Sequence, residues 1–447
     1  MITCAMISLG CPKNLVDGEQ ILGLLNQNEI QITPDPERAD VVIINTCGFL
    51  AASREESLAN IHALEAWRAD PEHPLRALIV TGCLVSRDQE SLVAECPGVD
   101  AFFDVFSREK IADEIQKILA ETKSESKFFR GESGRVMPDT HRFPLLPPHV
   151  AYLKIAEGCD RRCAFCTIPL IRGPYVSKPP EEVLAEARKL AETGVKELII
   201  VAQDTTAYGT DLKNPDATLA RLLERLSEIP GIRWLRVMYL YPQNFGEDLI
   251  EAFRTLPKVL PYIDIPLQHI NDRVLRTMRR TATRTTTLEL LEKLYARIPN
   301  LAVRTAFIVG FPGETQAEFD ELLAFIRKRK FQRLGVFEFS AEQGTPAAEM
   351  TPQVPQKIVR KRMEVVMKAQ QAISADWLRS LVGQKIEVIL DTAVPMAENV
   401  WIGRSIYDAP EIDGCVYVTG ESLRVGEIVT CEIVGSQEYD LLAVPVE

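Results

Sequence analysis

Residues 152–173 have the sequence YLKIAEGCDRRCAFCTIPLIRG, in which a short apolar run ends at a glycine and a cysteine-rich loop follows. Cys159, Cys163 and Cys166 have the spacing Cys-x3-Cys-x2-Cys, so three thiol groups lie on one tight loop after a predicted strand. Soft thiolate ligands at such close spacing are typical of an iron–sulfur cluster. This stretch therefore predicts a metal cofactor at the point where a strand runs into a loop.

Three cysteines leave one iron of a [4Fe-4S] cubane without a protein ligand, so that iron would be open to a small molecule. S-adenosylmethionine (SAM) can chelate such an iron through its amino and carboxylate groups. An electron from the cluster would then break the sulfonium bond and leave a 5′-deoxyadenosyl radical, which is chemistry of the cofactor rather than of side chains. The alternative is a structural zinc knuckle, but a fourth Cys or His is missing nearby.

The region around this loop alternates between apolar runs and helical patterns. The six strand candidates are YLKIAEG, KELIIVAQD, IRWLRVMYL, PYIDIPL, LAVRTAFIVGF and RLGVFEFS. Repeated strand–helix units over about 200 residues favour a TIM-like (β/α) barrel. An open doubly wound sheet is the alternative, because the period alone does not distinguish the two. We predict this domain over residues 150–355, followed by a connecting helix over 356–379.

The carboxyl ends of the predicted strands carry the candidate SAM contacts, since barrel enzymes keep their chemistry at that end. These candidates are Gln203, Asp204, Gln268, His269, Gly310 and Gly313. Both glycines belong to the turn FIVGFPGET, where a missing side chain would let a ligand lie against the backbone. Ordinary loop hydrogen bonding is the alternative for the polar residues. No catalytic side chain is predicted beyond the cluster-bound SAM.

The first 120 residues also alternate between strand and helix patterns, which predicts an open parallel α/β sheet domain over residues 1–120. Cys11, Cys47 and Cys83 are spaced 36 residues apart, and each follows a predicted strand. Because the carboxyl ends of parallel strands meet at one edge, we expect these thiols to converge on a second cluster. Three buried free cysteines are the alternative.

The remaining segments differ in character from the two α/β regions. A polar stretch ending in several prolines predicts a linker over residues 121–149. Residues 380–447 contain short strands broken by Gly, Pro and Asp, which predicts a small all-β barrel of the OB-like type.

The formal net charge of −12 is unevenly distributed along the chain. Residues 1–140 carry 13 Lys and Arg residues against 23 Asp and Glu residues, and residues 380–447 carry 3 against 12. Residues 141–379 carry 35 against 28, so the middle is mildly basic. An acidic surface repels the phosphate backbone, which argues against a nucleic-acid partner.

The chain has ten cysteines, no evident signal peptide and no apolar run long enough to span a membrane. These features predict a cytoplasmic protein without a membrane partner. Thiols stay reduced in that compartment, so metal ligation is favoured over disulfides. Cys4, Cys96, Cys415 and Cys431 lack a ligand-like position and are interpreted as core or incidental residues.

Six segments together resemble the radical-SAM methylthiotransferases: SLGCPKNLVDGE, VVIINTCGF, VTGCL, YLKIAEGCDRRCAFCTIPLIRG, DIPLQH and RTAFIVGFPGET. The resemblance covers essentially the whole chain, in the order amino-terminal cluster domain, radical-SAM barrel and carboxy-terminal TRAM module. It implies SAM and two [4Fe-4S] clusters as cofactors. It also implies that one trio binds the SAM-cleaving cluster and the other an auxiliary cluster, namely Cys159, Cys163 and Cys166 for the first and Cys11, Cys47 and Cys83 for the second.

One branch of this family modifies an adenosine of tRNA, and another modifies an aspartate of small-subunit ribosomal protein S-twelve. The segments AQDTTAYG, IPLQH and GRSIYDAPEIDG resemble the second branch. The resemblance implies transfer of a methylthio group to the β-carbon of that aspartate. One SAM would methylate a sulfur at the auxiliary cluster, and a second would supply the radical that removes hydrogen from the β-carbon.

The expected partners are ribosomal protein S-twelve, free or on the small ribosomal subunit, and an electron donor such as flavodoxin or ferredoxin. The acidic carboxy-terminal module suits a basic ribosomal protein better than RNA. Methylthiolation of tRNA is the alternative within the same chemistry. The alternative from another class is a non-catalytic RNA- or ribosome-binding module whose cysteines hold structural zinc.

Overall fold

The computed structural model describes residues 2–120, 127–137 and 141–446. Both interruptions fall within the predicted linker, so that part of the prediction lies outside the described residues. Three sheets follow one another along the chain, and a small hairpin accompanies the second. Across the described residues, none of the helices combines the length and the apolar character needed to cross a bilayer.

The amino-terminal domain is an open parallel sheet with the strand order β2-β1-β3-β4-β5-β6, as predicted. Its strands are β1 (Thr3–Ser8), β2 (Gln31–Ile32), β3 (Val41–Thr46), β4 (Ala77–Gly82), β5 (Ala101–Phe103) and β6 (Lys127–Phe129). Its helices are α1 (Pro12–Gln27), α2 (Ala51–Ala69), α3 (Cys83–Asp88), α4 (Glu90–Glu95) and α5 (Ile111–Ala120). The central strands β3 and β4 are buried along their whole length, because separate apolar clusters cover the two faces.

The prediction of a linker over residues 121–149 is wrong for residues 127–129. Lys127–Phe129 forms β6, which extends the sheet beyond β5. The Phe129 ring stacks on the Phe103 ring at a centroid distance of 4.5 Å, so the strand is held by its neighbour. Three residues are too few to show a period in the sequence, which is why the strand was not predicted.

The central domain contains six parallel strands in sequential order, which is the order of a (β/α) barrel. The strands are β7 (Val150–Lys154), β10 (Glu197–Val201), β11 (Trp234–Val237), β12 (Val259–Asp264), β13 (Ala302–Val309) and β14 (Arg333–Glu338). The hairpin strands are β8 (Ala156–Glu157) and β9 (Val176–Ser177). The outer helices are α6 (Ile168–Arg172), α7 (Pro180–Glu192), α8 (Leu219–Ser227), α9 (Glu247–Thr255), α10 (Asp272–Thr277), α11 (Arg284–Arg297) and α12 (Gln316–Arg329). Within the described residues, β7 and β14 are not paired with each other, so the barrel is incomplete.

A long helix, α13 (Gln356–Ser380), packs on β14 and leads to a closed five-stranded barrel. The barrel strands are β15 (Lys385–Ala393), β16 (Val400–Ser405), β17 (Val416–Thr419), β18 (Ile428–Ser436) and β19 (Leu441–Pro445). The prediction of a small all-β barrel after a connecting helix is therefore confirmed.

Buried ion pairs attach the small barrel to the first residues of the central strands. Glu197, at the start of β10, accepts hydrogen bonds from Arg236 of β11 at 2.8 Å and from Arg404 of β16 at 2.6 Å. An apolar cluster shared by the two domains continues this interface. The small barrel thus occupies the amino-terminal side of the central sheet and leaves the carboxyl ends of its strands to other contacts.

Candidate functional site

The loop with Cys159, Cys163 and Cys166 lies at the carboxyl end of the central sheet, framed by the hairpin β8–β9. The Cys159 amide donates to the Gly173 carbonyl at 3.2 Å, and the Cys166 amide donates to the Cys163 carbonyl at 3.2 Å. The Ala164 amide donates to the Met278 carbonyl at 2.9 Å, which ties the loop to the end of α10. These backbone bonds fix the conformation of the loop that carries the three thiols.

Burial raises the pKa of Cys159 to about 11 and that of Cys166 to about 12. Neighbouring thiols of the same loop add to both shifts, because negative charges at close range oppose one another. A backbone amide lowers each pKa in part. Thiolates form there when a metal displaces the protons, so the loop is suited to metal loading.

Two arginines, one within the loop and one just after α10, both stack on the same aromatic ring. The guanidinium carbons of Arg161 and Arg280 lie 4.2 Å and 4.4 Å from the centroid of the Tyr241 ring. Arg280 also approaches the Cys163 sulfur at 4.0 Å. Sequence reasoning missed Arg161, Tyr241 and Arg280, although each arginine stands in an Arg-Arg pair.

The predicted contacts Gln203 and Asp204 lie beside this loop. The Gln203 Nε2 donates to Glu157 Oε1 at 2.8 Å, and Asp204 Oδ2 accepts from Arg161 Nε at 2.8 Å. Among the described residues, the buried Gln203 Oε1 has no hydrogen-bond partner. A buried acceptor of this kind beside the cysteines fits a ligand that carries donor groups, as the amino group of SAM does.

Gln268 and His269 lie after β12, on the same side of the sheet. Gln268 has a φ of +68° and forms an isolated backbone bridge to Phe307 of β13. The buried His269 places Nε2 3.4 Å from Glu314 Oε1, and its Nδ1 accepts from the Asn271 amide at 3.0 Å. Both ring nitrogens of His269 thus have protein partners, and its role as a SAM contact stays a prediction.

Gly310 and Gly313 have positive φ values, as the turn requires, but their surroundings differ. A Cβ on Gly310 would overlap a methyl carbon of Val359 on α13. A Cβ on Gly313 would meet only the end of the Arg273 side chain, at 3.8 Å. The space beside Gly310 is therefore filled by the connecting helix, whereas Gly313 is more open.

The second cysteine trio lies at one edge of the amino-terminal sheet. Strands β1, β3 and β4 are adjacent, with Ser8 opposite Asn45 and Thr46 opposite Gly82. Cys47 and Cys83 directly follow β3 and β4, and Cys11 comes three residues after β1. The structure therefore brings the three turns to one place, as the strand-end rule predicts.

Glycines allow these turns to touch one another. A Cβ on Gly10, whose φ is +99°, would lie 2.9 Å from the Cβ of Cys47 and 3.2 Å from its sulfur. A Cβ on Gly48 would lie 2.7 Å from the Cα of Leu84, next to Cys83. The contacts of 2.9 and 2.7 Å are too short for a real Cβ, so glycine is required where these turns approach one another.

The Cys83 sulfur accepts a hydrogen bond from Arg172 Nη2 at 3.1 Å, although Arg172 belongs to the central domain. Burial raises the pKa of Cys83 to about 12, the Arg172 charge lowers it in part, and the Cys11 and Cys47 thiols add to the rise. The second trio is therefore electrostatically coupled within itself and to the other domain.

The two trios lie on facing sides of a domain interface. Helix α3, which begins at Cys83, packs against α6, which begins two residues after Cys166. The Thr167 hydroxyl donates to the Phe49 carbonyl at 3.3 Å, close to Cys47. The edge of the amino-terminal sheet that carries Cys11, Cys47 and Cys83 thus packs against the Cys159 loop of the central domain.

A buried network of charges joins the domains beside the trios. Asp17 of α1 pairs with Lys154 of β7 at 2.5 Å, with Arg172 at 2.6 Å and with Arg108 at 3.3 Å. Lys154 also pairs with Glu157 at 2.9 Å. Burial alone would raise the pKa values of both carboxyl groups, but the cations outweigh it, and the pKa of Glu157 falls to about 2.

Replacing Asp17 with Asn is expected to lower the free energy of unfolding by about 3–5 kcal/mol, since three buried cations would lose their shared carboxylate. Urea denaturation followed by circular dichroism measures the change. Asp376→Asn is the matched control, because Asp376 and its partner Arg379 are 68% and 70% exposed. That variant should change stability by at most ~1 kcal/mol. Similar small losses in both variants would contradict the structural importance of the network.

Neither trio has the spacing of ligands around a single ion. Three thiolates on one tetrahedral zinc, with Zn–S bonds of ~2.3 Å, lie roughly 3.8 Å apart. Among the described residues, the only Cys, His, Asp and Glu side chains that meet within 4.8 Å as a group of three are His62, Glu65 and Cys96, outside both trios. Three thiols set wider apart fit a cluster with several metal ions better than a zinc knuckle.

Comparisons with known families divide the chain in the same way as the sheets do. Residues 153–326 match the Radical SAM superfamily, a range that includes the Cys159 loop and the central strands up to β13. Residues 3–104 match Uncharacterized protein family UPF0004, and residues 382–446 match the TRAM domain.

Several curated proteins are similar to this chain over nearly its full length. A protein of Desulforamulus reducens is 43% identical over 445 residues, which is 99% of both chains. A protein of Anaeromyxobacter sp. (strain K) is 44% identical over 98% of this chain and 92% of its own length. One of Geobacter sulfurreducens is 42% identical over 98% and 97%. All three are named ribosomal protein uS12 methylthiotransferase RimO.

Solved structures with a similar fold are much more distant in sequence. The radical S-adenosylmethionine methyltransferase TsrM from Kitasatospora setae, with cobalamin and a [4Fe-4S] cluster bound, has a TM-score of 0.52 and 14% identity over 78% of this chain and 77% of its own. The cobalamin-dependent radical enzyme OxsB has a TM-score of 0.54 and 13% identity over 83% and 58%. At these identities the likeness concerns the fold alone.

Proposed function

Since this chain belongs to the ribosomal protein uS12 methylthiotransferases named RimO, a family with a radical SAM domain, we propose that its two cysteine trios hold two [4Fe-4S] clusters. The enzyme is a radical-SAM methylthiotransferase with SAM and [4Fe-4S] clusters as cofactors, and its substrate is ribosomal protein uS12 (S-twelve). We assign the reaction to the β-carbon of an aspartyl residue of that protein.

The observation that carries the assignment of the clusters is the pairing of two thiol trios across one domain interface. Cys159, Cys163 and Cys166 would hold the cluster that binds and cleaves SAM, and the other trio would hold the auxiliary cluster. When bound, these groups would supply an electron, a radical able to take hydrogen from an unactivated carbon, and a sulfur atom that accepts a methyl group. Ordinary side chains do not supply this chemistry.

The protein's own residues position these groups and exclude water. The α3–α6 contact and the Asp17 network fix the separation of the trios, because both are buried and join one domain to the other. In this proposal the unpartnered Gln203 Oε1 would accept a hydrogen bond from the amino group of SAM at the Cys159 loop. The two cluster sites must be held at a fixed separation, because the reacting carbon of the substrate would have to come within contact distance of both.

The charge of the carboxy-terminal barrel supports a basic protein as the partner rather than tRNA. Residues 380–447 carry 3 basic against 12 acidic residues. Five of its acidic side chains are exposed: Glu398, Glu411, Glu421, Glu432 and Glu438. An exposed acidic surface attracts a basic ribosomal protein and repels phosphates. A flavodoxin or ferredoxin is the class of electron donor that we propose for the reduction.

Protein purified without oxygen is expected to be brown, to contain about eight iron atoms per chain from two cubanes, and to methylthiolate uS12. Iron analysis and mass spectrometry of uS12, free and on the small subunit, measure both results. Transfer RNA serves as the comparison substrate and should remain unmodified. Colourless protein with zinc would contradict the clusters. Modified tRNA with unmodified uS12 would contradict the substrate while leaving the clusters intact.

A further inference from the structure

Lys13 is a buried cation at the interface between the two trios, and an aromatic ring rather than a carboxylate lies beside its ammonium group. It lies on α1, two residues after Cys11, and it is 8% exposed. Its ammonium nitrogen lies 3.2 Å from the centroid of the Tyr239 ring, which follows β11 at the carboxyl end of the central sheet. Lys13 thus extends from the auxiliary trio onto the surface where the Cys159 loop also lies.

Three buried cations near Cys83 have a carboxylate partner instead. Lys154, Arg172 and Arg108 all pair with Asp17 within 3.3 Å. In the part of the chain that the structure describes, no carboxylate lies within ion-pair distance of Lys13. A buried ammonium with only an aromatic face as its partner is costly, because a ring compensates for lost water less well than an anion does.

The ion-pair network beside Cys83 supplies positive charge to the thiols of the auxiliary trio. Three cations, Arg108, Lys154 and Arg172, face two carboxylates, Asp17 and Glu157, so the network has an excess positive charge. Arg172 directs this charge to the Cys83 sulfur through its hydrogen bond of 3.1 Å. Lys13 adds a positive charge that does not belong to this network. Its contact with the Tyr239 ring places that charge on the side of the central sheet.

The chemistry of the substrate provides an anion for that charge. The reacting β-carbon of an aspartyl residue is bonded directly to its carboxyl carbon, so a cation that fixes the carboxylate also fixes the β-carbon. The carboxylate must approach a site lined with thiolates, and a nearby ammonium offsets that repulsion. Lys13 satisfies both requirements at the interface between the trios.

We propose that Lys13 binds the side-chain carboxylate of the target aspartyl residue and so selects aspartate over its neutral isostere asparagine. This inference rests on the proposed function. Tyr239 acts as a positioning residue, because its ring holds the ammonium in place at the carboxyl end of β11.

The test compares two synthetic peptides of the uS12 segment that contains the target residue, one with its aspartate and one with asparagine at that position. The wild-type holoenzyme is expected to bind the aspartate peptide at least ~30-fold more tightly, since truncating one partner of a buried charge pair costs about 2 kcal/mol or more. K13M should bind both peptides with equal affinity while keeping its full iron content. K13R, which keeps the charge, should retain most of the preference.

Three results would overturn this inference. K13M could keep the preference for the aspartate peptide, or it could lose half of its iron, which would make Lys13 a partner of the auxiliary cluster. Equal affinity of the wild type for both peptides would also overturn it, and that measurement decides the matter even if K13M does not fold. Failure of the wild type to bind or modify uS12 itself would instead refute the proposed function.

Discussion

Cys163→Ala is expected to reduce the formation of 5′-deoxyadenosine from SAM to background and to abolish methylthio transfer with it. Cys163 is the middle thiol of the loop, and its carbonyl accepts from the Cys166 amide at 3.2 Å, so the backbone turn survives the loss of the sulfur. The two remaining thiols cannot hold a [4Fe-4S] cubane that has three cysteine ligands and one iron open to SAM. The protein should keep about four iron atoms, those of the auxiliary cluster, out of about eight.

The control for this variant is Cys415→Ala, in the carboxy-terminal barrel. Cys415 is half-buried, like Cys163, and it lies beside Asp440 rather than beside other thiols. Its loss should leave the iron content and the formation of 5′-deoxyadenosine unchanged. Full iron content and continued SAM cleavage in Cys163→Ala would contradict the assignment of the Cys159 loop.

The cysteine positions could be predicted because they depend on local signals and one general rule of sheets. Apolar runs mark where β1, β3 and β4 end, and neighbouring parallel strands end at the same edge. Cys11, Cys47 and Cys83 therefore converge in the structure as the strand ends require. The repeated strand–helix pattern of the central domain left a barrel and a doubly wound sheet open, and the sequential strand order of the structure is that of the barrel.

The contacts between domains could not be predicted, because they join residues far apart in the chain. Asp17 and Arg172 are 155 positions apart, and their pairing depends on how one domain docks on the other. Lys13 belongs to the same class, since its contact with Tyr239 crosses that interface. The surroundings of Gly310 could not be predicted for the same reason. The space that its missing side chain leaves is filled by Val359 of α13, which is distant in the sequence.

Cys47→Ala is expected to separate the two halves of the reaction. Formation of 5′-deoxyadenosine should continue with a reductant present, whereas methylthio transfer to uS12 should fall to background. The iron content should fall to about four atoms per chain. The reason is structural: Cys47 belongs to the first sheet, and its backbone is held there by Ser57, whose hydroxyl accepts from the Cys47 amide at 3.1 Å and donates to its carbonyl at 2.9 Å.

Cys47 is a cleaner choice than Cys83 for this experiment. Loss of the Cys83 sulfur would remove a hydrogen bond from Arg172, which belongs to the network joining the domains, and would thereby disturb both sites. Cys47 has no such bond to the central domain among the described residues, so its loss should affect one cluster. If Cys47→Ala stopped SAM cleavage as well, the two trios would not have separate roles, and the division between a radical-forming site and a sulfur-transferring site would be wrong.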